Sequence, residues 1–223
     1  MDSLVKDLVH LLYLEKIEEN IFKGNSQDIG SGQVFGGQVL GQALSAANQT
    51  VHGRIIHSLH AYFLRRGDMK APVFYEVDCL RDGGSFSFRR ILATQNDKPI
   101  FNLAASFQKP EKGLEYQLLM PDVEGPDNLV DLTDIAKKSL DKIPKQMHRY
   151  LTKKRPFEFR PVNPHDLLNP RPTEPKKYIW IKSLSSLPNQ SSLHQAFLAY
   201  VSDYALLSTS LLPHGLSFGS GNL

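Results

Sequence analysis

The stretch VFGGQVLGQALSAAN, residues 34–48, decides the fold. From residue 37 onward its apolar side chains recur at the spacing of a helix: Val39, Leu40, Ala43, Leu44 and Ala47. Glycine inside a helix costs about 1 kcal/mol relative to alanine, yet Gly37 and Gly41 both occur here. Because glycine lets a second backbone approach closely, the stretch predicts a buried helix with a very close neighbour.

Four strand-like segments follow this helix, at residues 55–65, 73–80, 85–94 and 99–108. The turns between them are short and rich in glycine, asparagine and aspartate, which predicts antiparallel pairing of consecutive strands. The last segment alternates, with one face formed by Phe101, Leu103, Ala105 and Phe107. Residues 1–110 therefore predict an α+β domain in which one helix covers the apolar face of an antiparallel sheet.

The second half of the chain is organised differently. Residues 111–156 are polar and turn-rich, with helical stretches after residue 129, and we interpret them as a linker with a helix. Residues 157–223 then repeat the first domain's order: strand-like segments at 157–162 and 178–183, a proline-rich loop, and an apolar helix at 193–211. Only 12 residues follow, too few for four strands of roughly 5–6 residues each. We expect the start of a second domain, left incomplete.

The composition excludes several classes of protein. The 26 basic and 23 acidic residues give a net charge of +3, which argues against a nucleic-acid-binding protein. No apolar run reaches the roughly 18 residues that a membrane span needs. The single cysteine, Cys79, fits a core position in a cytoplasmic protein. The basic cluster at residues 153–155 is either a solvated surface or a phosphate contact.

Asp203 is the most informative single residue because it interrupts the helix predicted at 193–211. Its helical neighbours are almost all apolar: Ala199, Tyr200, Leu206 and Leu207. A carboxylate on such a face is expected to be buried, and burial of an unpaired charge is costly. In one interpretation a nearby hydroxyl satisfies it, for which the candidates are Ser202, Ser208 and Thr209. In the other, the carboxylate orients or deprotonates a water molecule, and partial burial tunes its pKa for that task.

The sequence Phe35-Gly36-Gly37-Gln38 opens the first helix, where bare N–H groups lie at the positive end of the helix dipole. Such donors can hold an oxyanion; alternatively, the glycines only permit tight packing. We take Gly36, Gly37 and Gln38 as candidate oxyanion or substrate-binding residues, together with His57, which could face a pocket. No metal site is predicted, because the histidines lack a ligand spacing, and no cofactor fingerprint occurs.

Six stretches, taken together and in order, resemble the acyl-CoA thioesterase II family. They are VFGGQVLGQAL (34–44), HSLHAYFLRRGD (57–68), DGGSFSFRR (82–90), PIFNLAASFQ (99–108), FEFRPVNP (157–164) and LHQAFLAYVSDYALL (193–207). The resemblance implies an α+β fold of tandem (double) hotdog domains, each a central helix wrapped by an antiparallel sheet, the second incomplete here. It also implies that water attacks the thioester directly, held by an aspartate, a threonine or serine, and a glutamine.

Asp203 matches the family aspartate, and no residue of this chain corresponds to the other two groups. We therefore expect the 223 residues alone to support little turnover. The expected reaction is hydrolysis of medium- or long-chain acyl-CoA to fatty acid and coenzyme A, by a homo-oligomer that needs no metal or cofactor. Two alternatives remain open at this point: a hotdog hydratase or dehydratase, and a non-catalytic acyl-CoA-binding protein.

Overall fold

The computed structural model describes residues 1–165 and 169–217. Their contacts divide the chain into two compact units. The first is formed mainly by residues 6–115 and 187–203, and the second by residues 2–5 together with the described residues of 116–186 and 204–217. The expected division at residues 111 and 157 differs from this grouping, because residues 187–203 join the first unit. Parts of the expected second domain, residues 166–168 and 218–223, lie outside the described residues.

The elements of the first unit are, along the chain, α1 (Ser3–Leu12, of which residues 3–5 group with the second unit), β1 (Glu15–Glu18), β2 (Ile21–Gly24), α2 (Gly36–Asn48), β3 (Ile55–Phe63), β4 (Val73–Asp82), β5 (Phe86–Gln95), β6 (Lys98–Gln108) and α5 (Ser191–Ser202). The strands form one six-stranded antiparallel sheet, in the order β1-β2-β4-β5-β6-β3. The predicted central helix and four strands are confirmed to within two residues at each end.

The core of this unit lies between α2 and one face of the sheet. The alternation of β6 is confirmed, since its four predicted inward residues, Phe101, Leu103, Ala105 and Phe107, are all buried. Val39, Ala43 and Leu44 of α2 are buried in the same cluster. Burial of alternate side chains on the sheet and of one helix stripe removes the apolar surface of both layers from water.

The close neighbour predicted for α2 is α5. A Cβ atom built on Gly37 would lie 2.1 Å from the carbonyl oxygen of Tyr200, and one built on Gly41 would lie 3.0 Å from that of Ala196. These distances are shorter than ordinary van der Waals contact, so only glycine lets the two helix backbones approach this closely. The small residues of α2 are therefore explained by packing.

The second unit holds two short helices, α3 (Leu132–Lys138) and α4 (Lys145–Thr152), an antiparallel pair of strands, β7 (Phe157–Pro161) and β8 (Ile179–Ser183), and a short helix α6 (Leu206–Ser210). Asp131 joins two of these elements, because one carboxylate oxygen caps α3 at the Thr133 N–H and the other accepts from the Phe159 N–H. Arg155 is buried and donates to the carbonyl of Tyr150, so this residue of the basic cluster is not an open phosphate contact.

Three details of the sequence prediction are wrong. The helix expected at 193–211 is interrupted, since α5 ends at Ser202 and Ala205 adopts a left-handed conformation with φ of 66° before α6 begins. The short strands β1 and β2 were not predicted as a pair, because β1 consists of exposed residues with no apolar alternation. Cys79 is exposed rather than buried in the core.

Candidate active site

Asp203 lies at the C-terminal end of α5, as the capping residue that follows Ser202. Its side chain is half-buried, and its carboxylate accepts a hydrogen bond from the backbone N–H of Gly37. Burial raises the pKa of the Asp203 carboxyl above its ordinary value, while the bond from Gly37 acts in the opposite direction. The acid is thus partly desolvated and oriented by a single backbone donor.

The two glycines of α2 create the space for this carboxylate. A Cβ atom built on Gly36 would lie 2.6 Å from Oδ2 of Asp203 and 2.8 Å from the ring of Phe63. The side chain of Phe35, the N-terminal capping residue of α2, makes no capping hydrogen bond. The carboxylate of Asp203 therefore supplies the negative charge that the first turn of a helix favours.

Asp203 is half-buried as predicted, but the apolar neighbours that the sequence indicated do not cover it. Leu206 and Leu207, the neighbours expected to cover it, are exposed, because the chain leaves the α5 helix at Asp203. The hydroxyl alternative is also unsupported, since the nearby hydroxyls donate to backbone carbonyls: Ser202 to Ala199, and Ser208 and Thr209 to Ala205. The environment of Asp203 comes instead from Gly36, Gly37 and the end of α5.

Of the predicted oxyanion residues, Gly36 and Gly37 lie beside Asp203, and Gln38 has another task. The Gln38 side chain is fully buried; its Oε1 accepts from the Gln27 N–H at 2.8 Å and its Nε2 donates to the Asn25 carbonyl at 3.3 Å. Its own backbone N–H donates to the carbonyl of Phe35. The Gln38 side chain therefore stabilises the loop before α2, and both of its polar atoms are used in doing so.

His57 is not brought to the same place. Its Nε2 lies 2.9 Å from Oγ of Ser106, and its ring packs edge-on against Phe86. It precedes Phe63, which contacts Gly36, by six residues of β3, a separation of about 20 Å along an extended strand. The contacts of His57 are thus with Ser106 and Phe86, and none of them involves Asp203, Gly36 or Gly37.

A groove of about 360 Å³ adjoins the candidate site within the first unit. Part of its wall is formed by Gly36 and the segment of residues 65–67. The apolar side chains that line it are Val34, Val39, Phe63, Leu64, Ile100 and Phe101. A volume of this size is within the range of small-molecule pockets. Sequence reasoning missed this groove, because its walls come from the start of α2, the end of β3 and the start of β6, whose proximity no local pattern reveals.

The described part of the chain contains neither a metal site nor a helix that could span a membrane. Among residues 1–165 and 169–217 no three histidine, cysteine, aspartate or glutamate side chains are placed to hold a metal ion. None of the helices in these same ranges is both long enough and apolar enough to cross a bilayer.

Comparison with known proteins gives the same picture for both halves of the sequence. Residues 24–108 match the family described as acyl-CoA thioesterase N-terminal domain, and residues 147–222 match the acyl-CoA thioesterase family. The chain is similar to acyl-CoA thioesterase 2 of Haemophilus influenzae, with 41% identity over 98% of this chain and 77% of that protein.

Solved structures agree with this similarity. An acyl-CoA thioesterase II, TesB2, from Mycobacterium marinum superposes with a TM-score of 0.72 and 35% identity, over 93% of this chain and 72% of that one. A protein from Alicyclobacillus acidocaldarius, described as having a hot dog fold, gives a TM-score of 0.71 at 15% identity, over 94% and 73% of the two chains. The fold is therefore that of the hotdog proteins, as the sequence predicted. The chain belongs to the acyl-CoA thioesterase II family.

Proposed function

We propose that this protein hydrolyses acyl-CoA thioesters to a carboxylic acid and coenzyme A, with Asp203 as the residue that holds and deprotonates the attacking water. The observation that carries the proposal is the half-buried carboxylate of Asp203, bonded to the first turn of α2 beside an apolar groove. The family membership of the chain supports the substrate class, since its relatives are named as acyl-CoA thioesterases.

The chemistry needs no covalent intermediate. The water oxygen adds to the thioester carbonyl carbon while a proton passes from the water to the Asp203 carboxylate. The carbon–sulfur bond then breaks, and the proton goes to the departing coenzyme A thiolate. A base with a raised pKa accepts a proton more readily, which suits Asp203 for the first step. The first turn of α2, with Gly36 and Gly37, places the positive end of the helix dipole near the thioester carbonyl oxygen. That end stabilises the negative charge that develops on the oxygen during the attack.

Thiol release from palmitoyl-CoA tests this assignment. We expect Asp203→Asn to remove nearly all release above the spontaneous rate, since general-base catalysis contributes roughly 100-fold or more. Asp141→Asn, which changes an exposed carboxyl in the second unit, is the matched control and should leave release unchanged. A wild type that releases thiol above the spontaneous rate, with an equal rate in Asp203→Asn, would refute the role of Asp203.

The alternatives left open by the sequence have less support. A hydratase or dehydratase needs a histidine paired with an acid, whereas the His57 ring is hydrogen-bonded to the Ser106 hydroxyl. A non-catalytic acyl-CoA-binding protein predicts binding without release. Thiol release by the wild type above the spontaneous rate would therefore exclude a purely binding role.

A preference for medium- or long-chain substrates is part of the proposal. The apolar side chains that line the groove, such as Val34, Phe63 and Phe101, support this preference. Each methylene of the acyl chain that is buried there contributes about 0.8 kcal/mol to the free energy of binding. We expect KM to fall as the acyl chain lengthens from butyryl- to octanoyl- to palmitoyl-CoA. A KM that is independent of chain length would contradict this preference.

We further propose that the protein is a cytoplasmic homo-oligomer. Apolar side chains on β5 that remain exposed, Phe86, Phe88 and Leu92, support self-association. The exposed free thiol of Cys79 supports a reducing compartment. Light scattering on the purified chain tests the first statement, and a monomer at micromolar concentration would contradict it; fluorescence microscopy of a tagged chain tests the second.

A further inference from the structure

The groove beside Asp203 has a charged end. Two of its lining residues, Arg65 and Arg66, carry positive charge, and no acidic residue is among those that line it. The groove therefore combines an apolar floor with a rim that carries positive charge. A ligand that fits such a surface is an apolar arm that carries an anionic group.

The segment that carries these arginines is held in place by a buried glutamine. Oε1 of Gln95 accepts from the Asp68 N–H at 2.8 Å, and its Nε2 donates to the carbonyls of Asp68 at 2.9 Å and Ala71 at 2.7 Å. Gly67 lies against Val34, since a Cβ atom built on it would meet the Val34 side chain at 2.8 Å. The rim is thus a fixed wall of the groove.

The two arginines differ in what they contact. Nη1 of Arg65 donates to the carbonyl of Pro99 at 2.7 Å, and the Arg65 backbone N–H donates to the carbonyl of Ile100. Arg66 is exposed, and within residues 1–165 and 169–217 its guanidinium has no hydrogen-bond or ion-pair partner. Arg65 is therefore bonded to the start of β6 and stabilises the wall of the groove, whereas the guanidinium of Arg66 offers a planar set of donors to a ligand in the groove.

We propose that Arg66 is the anion-binding residue of this groove and contacts a phosphate or a carboxylate at the end of the substrate arm that lies in it. This inference rests on the proposed function, and the two anions differ in the arm that occupies the groove. The acyl arm, which the chain-length preference places there, brings a terminal carboxylate if the chain is dicarboxylic, whereas the coenzyme A arm brings a phosphate. Either source has the chemistry that a guanidinium recognises.

Calorimetric binding of three non-hydrolysable thioethers tests the inference without requiring turnover. The probes are S-octyl-CoA, S-octyl-pantetheine, which lacks the phosphates, and an S-octyl-pantetheine whose chain ends in a carboxylate. The variant is Arg66→Gln. The matched control is Lys70→Gln, which removes one positive charge four residues away at an exposed position that does not line the groove.

Loss of a charge-assisted contact should weaken binding by roughly tenfold. If the anion is a phosphate, Arg66→Gln weakens the binding of S-octyl-CoA alone. If it is a carboxylate, Arg66→Gln weakens the binding of the carboxylated pantetheine alone. Binding of every probe within twofold of the wild type, equal losses in Lys70→Gln, or no binding of any probe by the wild type would overturn the inference. The proposed hydrolysis fails separately, in the thiol-release assay.

Discussion

The substitution Gly37→Ala tests the close approach of α2 and α5 on which the candidate site depends. The added methyl carbon would lie 2.1 Å from the Tyr200 carbonyl oxygen and 2.5 Å from the ring of Phe35. A relaxed carbon–oxygen contact is about 3.3 Å or more, so the helices must separate by on the order of 1 Å. Overpacking costs about 1–3 kcal/mol and more where backbone must move, while alanine returns about 1 kcal/mol of helix propensity. We expect a net loss of about 2 kcal/mol in the free energy of unfolding.

Urea unfolding followed by far-ultraviolet circular dichroism measures this loss. Gly84→Ala is the control, because a Cβ atom there would meet nothing within 4 Å, and its stability should stay within about 0.5 kcal/mol of the wild type. Thiol release should fall in Gly37→Ala as well, since the Gly37 N–H is bonded to the Asp203 carboxylate. A Gly37→Ala protein as stable as the control would show that the two helices do not pack as described.

Three further outcomes concern substitutions of the polar residues Asp82, Gln42 and Asp203. Asp82→Asn should destabilise the protein by about 1–2 kcal/mol at pH 7, since Asp82 accepts from the buried Arg89 and is itself half-exposed. Hydrogen bonds from Ser87 and Arg89 lower the Asp82 pKa, so in urea titrations this difference should vanish as the pH falls through that lowered pKa. Gln42→Leu should cost about 2–3 kcal/mol in urea unfolding, because it leaves the buried Tyr75 hydroxyl without its acceptor; a loss below 1 kcal/mol would contradict the bond. Asp203→Asn should have the opposite sign to Asp82→Asn: burial raises the Asp203 pKa, so the ionised acid weakens the fold, and the variant should be the more stable protein at pH 7, with the difference closing in acid.

The central helix and the main strands could be predicted because their patterns are local. The alternation of β6 and the small residues of α2 are each visible within a dozen positions, and both are confirmed. The break after Ser202 could not be predicted in the same way. Nothing in the sequence around Ala205 requires a left-handed residue, since alanine is a strong helix former, and tertiary structure decides its conformation.

The candidate site was only partly predictable, for a related reason. An acid within an apolar stretch indicated Asp203, and two glycines indicated the start of α2, but no local spacing shows that the two positions meet. Gln38 and His57 have residue types that suit a site, yet Gln38 is bonded to backbone groups of a neighbouring loop and His57 to the hydroxyl of Ser106. Residue type alone therefore predicted chemistry at positions where the fold assigns a structural role or another place.

Stability and chemistry are coupled at the adjacent residues Gly36 and Gly37. The absence of a side chain on Gly37 allows α2 and α5 to pack closely, and the absence of one on Gly36 leaves room for the Asp203 carboxylate. A methyl group on Gly37 would collide with the Tyr200 backbone, whereas one on Gly36 would occupy the space of Oδ2 of Asp203 and of the Phe63 ring. A side chain on Gly36 can be accommodated only if the carboxylate or the aromatic ring rotates away. It follows that the two positions are distinguishable by experiment even though they are adjacent. Substitution at Gly37 acts on the whole α2–α5 contact, and substitution at Gly36 acts first on the orientation of Asp203 and on the adjoining groove.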